Sequence, residues 1–199
     1  MKITAIKQQV KRTDRYSIFV DDKYAFSLSE SGLIASGLAS GQELTLAELK
    51  NLKKDAGLDK AYYNALRYVA MRARSEWEIG LYLQRKEVDK DAAAEVVRRL
   101  RRANLLNDLD FARAWVGSRR ALKSTSKRRL RLELLQKHVP NDVIDQVLAE
   151  DETDERASLR DLIEKKRRRY PDQQKLMAYL ARQGFSYDDI KSVLAEDGE

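Results

Sequence analysis

The chain has 199 residues, no cysteine, one histidine and a formal net charge of +7, with 36% charged and 43% apolar residues. These figures exclude a disulfide scaffold, thiolate catalysis and Cys-ligated zinc, yet leave enough apolar side chains for a core. No apolar run of about 18 residues is present to span a bilayer, and MKITAIKQQ lacks the apolar stretch of a signal peptide, which predicts a soluble cytoplasmic protein.

The first segment, 1–57, reads as a small β-containing extension with short helices. ITAIKQQV, RYSIFVDD and KYAFSL alternate roughly and carry β-branched or aromatic residues, and Asp21-Asp22-Lys23 supplies a tight turn. An antiparallel β-hairpin or small sheet is expected there. SLSESGLIASGL then reads as a short helix closed by glycine, SGQELT as a connector, and LTLAELKNLKKDAG as a helix ending at Gly57 in a left-handed cap.

From Leu58 onward the pattern is helical and is written three times. Segments beginning at Ser75, Ser126 and Asp172 align without gaps. Ile79, Leu130 and Leu176 fall together, as do Leu83, Leu134 and Leu180, then Val88, Val139 and Phe185. The match continues through Ala93, Ile144 and Ile190 to Val96, Val147 and Val193. Each unit opens with a helix bearing apolar residues four apart, Tyr62 with Leu66, Phe111 with Trp115 and Leu159 with Ile163. Ser75-x-x-Glu78 is a capping box for a second helix, and Pro140 and Pro171 fall at helix boundaries. The fold class expected is mainly α, with three tandem three-helix, helix-turn-helix-like repeats in an elongated array over 58–107, 108–150 and 151–199. Aligned apolar positions are expected to be buried equivalently in all three. Such an array offers a long surface to an extended partner.

The charge is uneven. Residues 109–140 hold nine basic and two acidic side chains, whereas 141–199 hold ten and fifteen. The middle repeat is therefore the basic centre, and Arg119, Arg120, Lys123, Lys127, Arg128 and Arg131 are its candidate nucleic-acid or filament contacts. Ser124, Thr125 and Ser126 interleave them at a helix start, where amides, hydroxyls and guanidinium groups suit phosphate. Arg98, Arg99, Arg101 and Arg102 form a second, smaller cluster, and Lys165 to Arg169 suits a helix C-terminus. The acidic stretch 150–155 reads as a solvated linker. No Gly-rich phosphate loop is present, and His138 has no second histidine or cysteine for a metal. Neither an enzyme nor a cofactor is expected.

The motifs ALRYVAMRARSEWEIGLYLQRKEV, NLLNDLDFARAWVGSR, SKRRLRLELLQKHV and LMAYLARQGFSYDDIKSVL occur in that order, after RYSIFVDDKYAFSLSE. Together they closely resemble the RecX regulatory family over about residues 58–197. The glycine that the family often carries in the turn between second and third helices is Gly184 here, whereas Glu87 and His138 stand at the equivalent places. The resemblance implies a non-enzymatic modulator of the RecA recombinase. It implies binding in the groove of RecA–single-stranded DNA filaments and inhibition of ATP hydrolysis and strand exchange. The residues alone support an elongated, basic, non-catalytic binding protein. They leave open a plain DNA-binding protein that reads a duplex DNA groove through a helix-turn-helix unit, and a helical adaptor for an acidic protein partner. No dimer heptad is visible, so a monomer is expected.

Overall fold

The computed structural model describes residues 1–196. The chain forms two compact units, one of Met1–Arg72 and Ile79–Leu105, the other of Ala73–Glu78 and Leu106–Glu199.

The first unit begins with a three-stranded antiparallel sheet in the order β1 (Ile3–Gln8), β2 (Arg15–Val20), β3 (Lys23–Ser29). Val20 pairs with Lys23 across a two-residue turn, and Asp21 and Asp22 both take positive φ, 46° and 62°. That is the backbone whose twist matches a hairpin, and aspartate tolerates it. Helix α1 (Glu30–Ser36) is capped by Ser29, whose hydroxyl accepts from the Gly32 amide, and ends at Gly37 in the left-handed region. The expected hairpin and glycine-closed helix are both present.

The expected helix end at Gly57 is not. Helix α2 runs unbroken through Leu46–Met71. A glycine inside a helix costs only about 1 kcal/mol relative to alanine, and two anchors outweigh it. Thr45 and Glu48 form a reciprocal capping box at the start. Asp59, just beyond Gly57, accepts from the Ser29 amide at 2.8 Å and pairs with the buried Arg15 guanidinium at 3.3 Å. Arg15 also donates to the Ser27 carbonyl at 3.0 Å, so α2 is fixed to the sheet at midlength. Ile3, Ile18, Phe26, Leu28, Leu44, Leu49 and Ala56 fill the core between them. Helices α3 (Glu76–Arg85) and α4 (Lys90–Arg102) complete the first helical triplet with α2.

The second unit carries two further triplets. The first is α5 (Asp108–Leu122), α6 (Lys127–Gln136) and α7 (Asn141–Glu150). The second is α8 (Glu155–Arg167), α9 (Gln173–Arg182) and α10 (Tyr187–Glu196). Each encloses its own core, one around Phe111, Leu130, Leu134 and Ile144, the other around Leu159, Ile163, Leu180 and Ile190. The equal burial expected of the aligned positions holds for these two. In the first triplet Val88 and Ala93 are only half-buried. Alanine is too short to fill the space that Ile144 and Ile190 occupy elsewhere.

The turn between second and third helices has one geometry in all three triplets, despite the missing glycines. Glu87, His138 and Gly184 take positive φ of 56°, 54° and 92°. Their amides each donate at 2.9 Å to the carbonyl three residues back, of Gln84, Leu135 and Ala181. The next amides, of Val88, Val139 and Phe185, donate to Leu83, Leu134 and Leu180. Both bonds define a Schellman ending, sealed by the apolar residue that follows.

Candidate nucleic-acid interface

The six cations of the basic centre separate by what the fold does with them. Arg120 is tied inward. Its Nε and Nη2 donate to Asp151 at 3.0 and 2.5 Å, its Nη1 donates to the Thr125 carbonyl, and its side chain is 12% exposed. Arg119 donates to Glu133 at 2.7 Å and lies 4.6 Å from the Trp115 ring centroid. The same carboxylate accepts from the Trp115 indole at 2.9 Å and pairs with Arg129 at 3.5 Å. Arg131 pairs with Asp145. Lys123, Lys127 and Arg128 make no side-chain ion pair among the described residues, and Lys123 and Arg128 are exposed. These three, at the end of α5 and the first turn of α6, form the open part of the basic face.

The interleaved hydroxyls, expected to suit phosphate, are engaged within the fold. Thr125 and Ser126 are buried, and Ser124 donates to Asp161 at 2.5 Å. Ser126 caps α6 by accepting from the Arg129 amide at 3.1 Å, and its hydroxyl donates to the Gln183 carbonyl at 2.9 Å. The Lys127 amide donates to Glu155. A protein carboxylate thus already occupies the anion position at this helix start. The acidic stretch 150–155 does link α7 to α8, with Glu150, Glu152 and Asp154 exposed, but Asp151 and Glu155 are tied in and hold α8 against the α5–α6 turn through Arg120 and Lys127.

This arrangement is a joint, and the second unit contains it twice. Ser75 is buried at the start of α3, forms the expected box with Glu78, and donates to the Lys137 carbonyl at 2.9 Å. The Glu76 amide donates to Asp108 at 2.8 Å, as the Lys127 amide does to Glu155. In both cases a serine caps the second helix of one triplet and donates to the carbonyl before the left-handed residue of the next triplet's turn. In both, an acid opening that next triplet's first helix accepts from the capped helix. The sequence alignment had put Ser75 and Ser126 in one column, but nothing in it named their partners 62 and 57 residues away. The left-handed residue differs by need. A Cβ at Gly184 would overlap Ser126 Oγ, whereas His138 has room to stack on Trp77 with ring centroids 4.3 Å apart.

The smaller cluster, on α4, is partly neutralised. Arg98 and Arg99 both pair with Glu95, at 2.7 and 2.9 Å, and the Arg99 hydrogen bond holds that carboxyl below the usual range. Arg101 has a partner too, and Arg102 is exposed. Lys165 pairs with Asp161 at 2.7 Å.

Four carboxyls in the second unit are held low, Glu150, Asp151, Asp161 and Glu196. Burial raises the Asp151 pKa, but hydrogen bonds from Arg120 and Thr153 outweigh it and the net shift is downward. The Arg113 hydrogen bond, assisted by Gln146, lowers Glu150 from 4.5 to about 2. A carboxyl with a depressed folded-state pKa stabilises the fold above its unfolded value and loses that contribution as pH falls through the folded value. The thermal midpoint of the second unit is therefore expected to drop between about pH 4.5 and about pH 2, and Asp151→Asn to flatten the part of that drop below about pH 3.8. A midpoint independent of pH across this window in the parent chain would remove the role assigned to Asp151 and Glu150.

No helix among the described residues is long and apolar enough to cross a membrane. Four family models match the chain in order: the regulatory protein RecX N-terminal domain over residues 1–45, and the first, second and third RecX three-helix domains over 61–100, 107–148 and 153–194. The regulatory protein RecX of Bacillus pumilus is 33% identical, with 99% of this chain and 78% of that protein covered. The chain belongs to the RecX family. The RecX of Bacillus subtilis is 32% identical, with 96% of this chain and 75% of that protein covered. A crystal structure of regulatory protein RecX superposes with a TM-score of 0.76 at 27% identity and covers 98% of both chains. The Lactobacillus salivarius RecX crystal structure gives 0.62 at 26% identity, over 70% of this chain and 96% of that one. In RecX terms the open cations Lys123, Lys127 and Arg128 belong to the second three-helix domain, and both joints use that domain.

Proposed function

We propose that this chain binds RecA filaments assembled on single-stranded DNA and slows their ATP hydrolysis and strand exchange, as a monomer and without chemistry of its own. Family membership supports RecA as the partner. The observation that carries the binding mode is the open cation set Lys123, Lys127 and Arg128 on a face whose neighbouring charges are already matched. These are the side chains left to neutralise phosphate. They project from a joint held by Ser126, Glu155 and Asp151, so little ordering is needed on binding. Arg119, Arg120 and Arg131 keep their internal partners and shape the face.

The three helical triplets, taken as contact modules over about 58–107, 108–150 and 151–199, can engage neighbouring RecA protomers. Each module's weak contact is then strengthened by the effective concentration set by the others. Bridging protomers in the groove hinders the rearrangement that accompanies turnover and obstructs incoming duplex.

Fluorescence anisotropy of labelled oligothymidylate, bare and coated with cognate RecA, separates this reading from its rivals. The chain is expected to bind the filament more tightly than the bare strand, with affinity falling as salt rises. Equal affinity for both would indicate a plain DNA-binding protein. Binding to RecA alone, unchanged by DNA and by salt, would indicate an adaptor.

A further inference from the structure

The first unit holds a cleft of about 990 Å³ between α2, the turn after α3 and α4. It opens beside half-buried Val88 and Ala92, and Leu58, Ala61, Tyr68, Met71, Tyr82 and Leu83 form the rest of its apolar lining. One rim runs along α2 through Lys53, Lys54, Lys60 and Arg67, with the single carboxylate Asp55 among them, and is joined by Arg12, so that cations outnumber acid on this side. The five cations are exposed and none makes a close ion pair among the described residues, though Arg67 is near enough to Asp14 to help lower its carboxyl. The opposite rim, at the start of α4, carries Glu87, Asp89 and Asp91.

The two-signed rim decides the class of ligand. A phosphate backbone is negative throughout and meets three carboxylates on one side. Bases need open aromatic faces, but Tyr68 and Tyr82 stack on each other at 4.2 Å and Lys86 sits 5.9 Å from the Tyr82 centroid. A peptide can set carboxylates on one edge, keep the other edge neutral or basic, and send an apolar side chain between them. Gly57 lies on the cleft with nothing within 4 Å of the position its Cβ would take, so a partner backbone can approach α2 there.

We propose that this cleft docks a short acidic, amphipathic segment of a protein partner, with its carboxylates along Lys53, Lys60 and Arg67 and an apolar side chain beside Tyr82 and Val88. Fourteen helical positions separate Lys53 from Arg67, about 21 Å, which an extended segment of about six residues spans. None of the open cations of the second three-helix domain takes part, so loss of filament binding and loss of this site are read independently.

The test uses the full chain and a fluorescein-labelled peptide of about seven alternating glutamates and leucines. An all-glutamate peptide of equal length and an oligothymidylate are the controls. The alternating peptide is expected to bind at least about tenfold more tightly than all-glutamate, by the gain from its buried apolar side chain. Lys60→Glu with Arg67→Glu is expected to weaken it at least about tenfold, and Ala92→Trp, which fills the cleft, to do the same. Each variant must match the parent far-UV circular dichroism, and Arg128→Glu must bind the peptide as the parent does. Failure of the peptide to saturate, equal affinity for all-glutamate, displacement by oligothymidylate, or parent-like binding by both cleft variants would overturn the proposal.

Discussion

Reversing the two exposed open cations, Lys123→Glu with Arg128→Glu, is expected to weaken binding to RecA-coated single strands by roughly 25-fold at about 0.1 M salt. Each phosphate neutralised on a single strand contributes about 0.7 to the slope of log K against log salt, which is about fivefold per contact at that concentration. The slope itself should become shallower by about 1.4. Both numbers come from one titration, and they must move together if the side chains contact phosphate. Lys165→Glu with Lys166→Glu is the matched control, since Lys165 already pairs with Asp161. Reversal of Arg131 should have a smaller effect than that of Arg128, because Asp145 already offsets its charge. Equal losses at 123/128 and 165/166 would show that the second three-helix domain has no special place in binding.

The second large effect concerns the joint between the last two triplets. Gly184→Val is expected to destabilise the second unit by about 3–5 kcal/mol, combining a side chain in the left-handed region with overpacking of a filled contact. Gly184 has φ of 92°, and its Cβ would overlap Ser126 Oγ and lie 3.0 Å from the Arg129 amide nitrogen. Neither group can withdraw, because Ser126 caps α6 and donates to the Gln183 carbonyl. His138→Gly at the equivalent turn is the contrast. It relieves the left-handed strain and loses the stack on Trp77, terms of similar size and opposite sign, so a change within about 1 kcal/mol is expected. Urea unfolding of the two variants measures the difference. A Gly184→Val chain as stable as the parent would mean that the third triplet is not held through this contact.

The repeat was legible because burial writes itself into apolar spacing. Leu83, Leu134 and Leu180 are aligned in the sequence and fully buried in the structure. Local chemistry was legible for the same kind of reason: the Asp21-Asp22 turn and the Ser75–Glu78 box need partners no more than a few residues away. Gly57 misled because the local rule for glycine omits what holds α2 from outside, above all Asp59 on Ser29 and Arg15. The basic centre was legible as a density of charge but not as a set of free charges. Asp151, Asp145 and Glu133 lie 31, 14 and 14 residues from the arginines they meet, and only the folded chain brings them together. The Schellman turns at Glu87 and His138 show the reverse case. There the apolar residue after the turn and the two backbone hydrogen bonds fix the geometry, and glycine is required only where Ser126 approaches.

The central claim is regulation of RecA, and RecA-dependent ATP hydrolysis on single-stranded DNA tests it most directly. With cognate RecA at constant salt, the full chain is expected to slow hydrolysis as it approaches stoichiometry with the filament and to hydrolyse no ATP alone. Lys123→Glu with Arg128→Glu should shift that inhibition to higher concentration by the same factor by which it weakens binding. A hydrolysis rate unchanged by the full chain up to and beyond stoichiometric concentration would contradict the account.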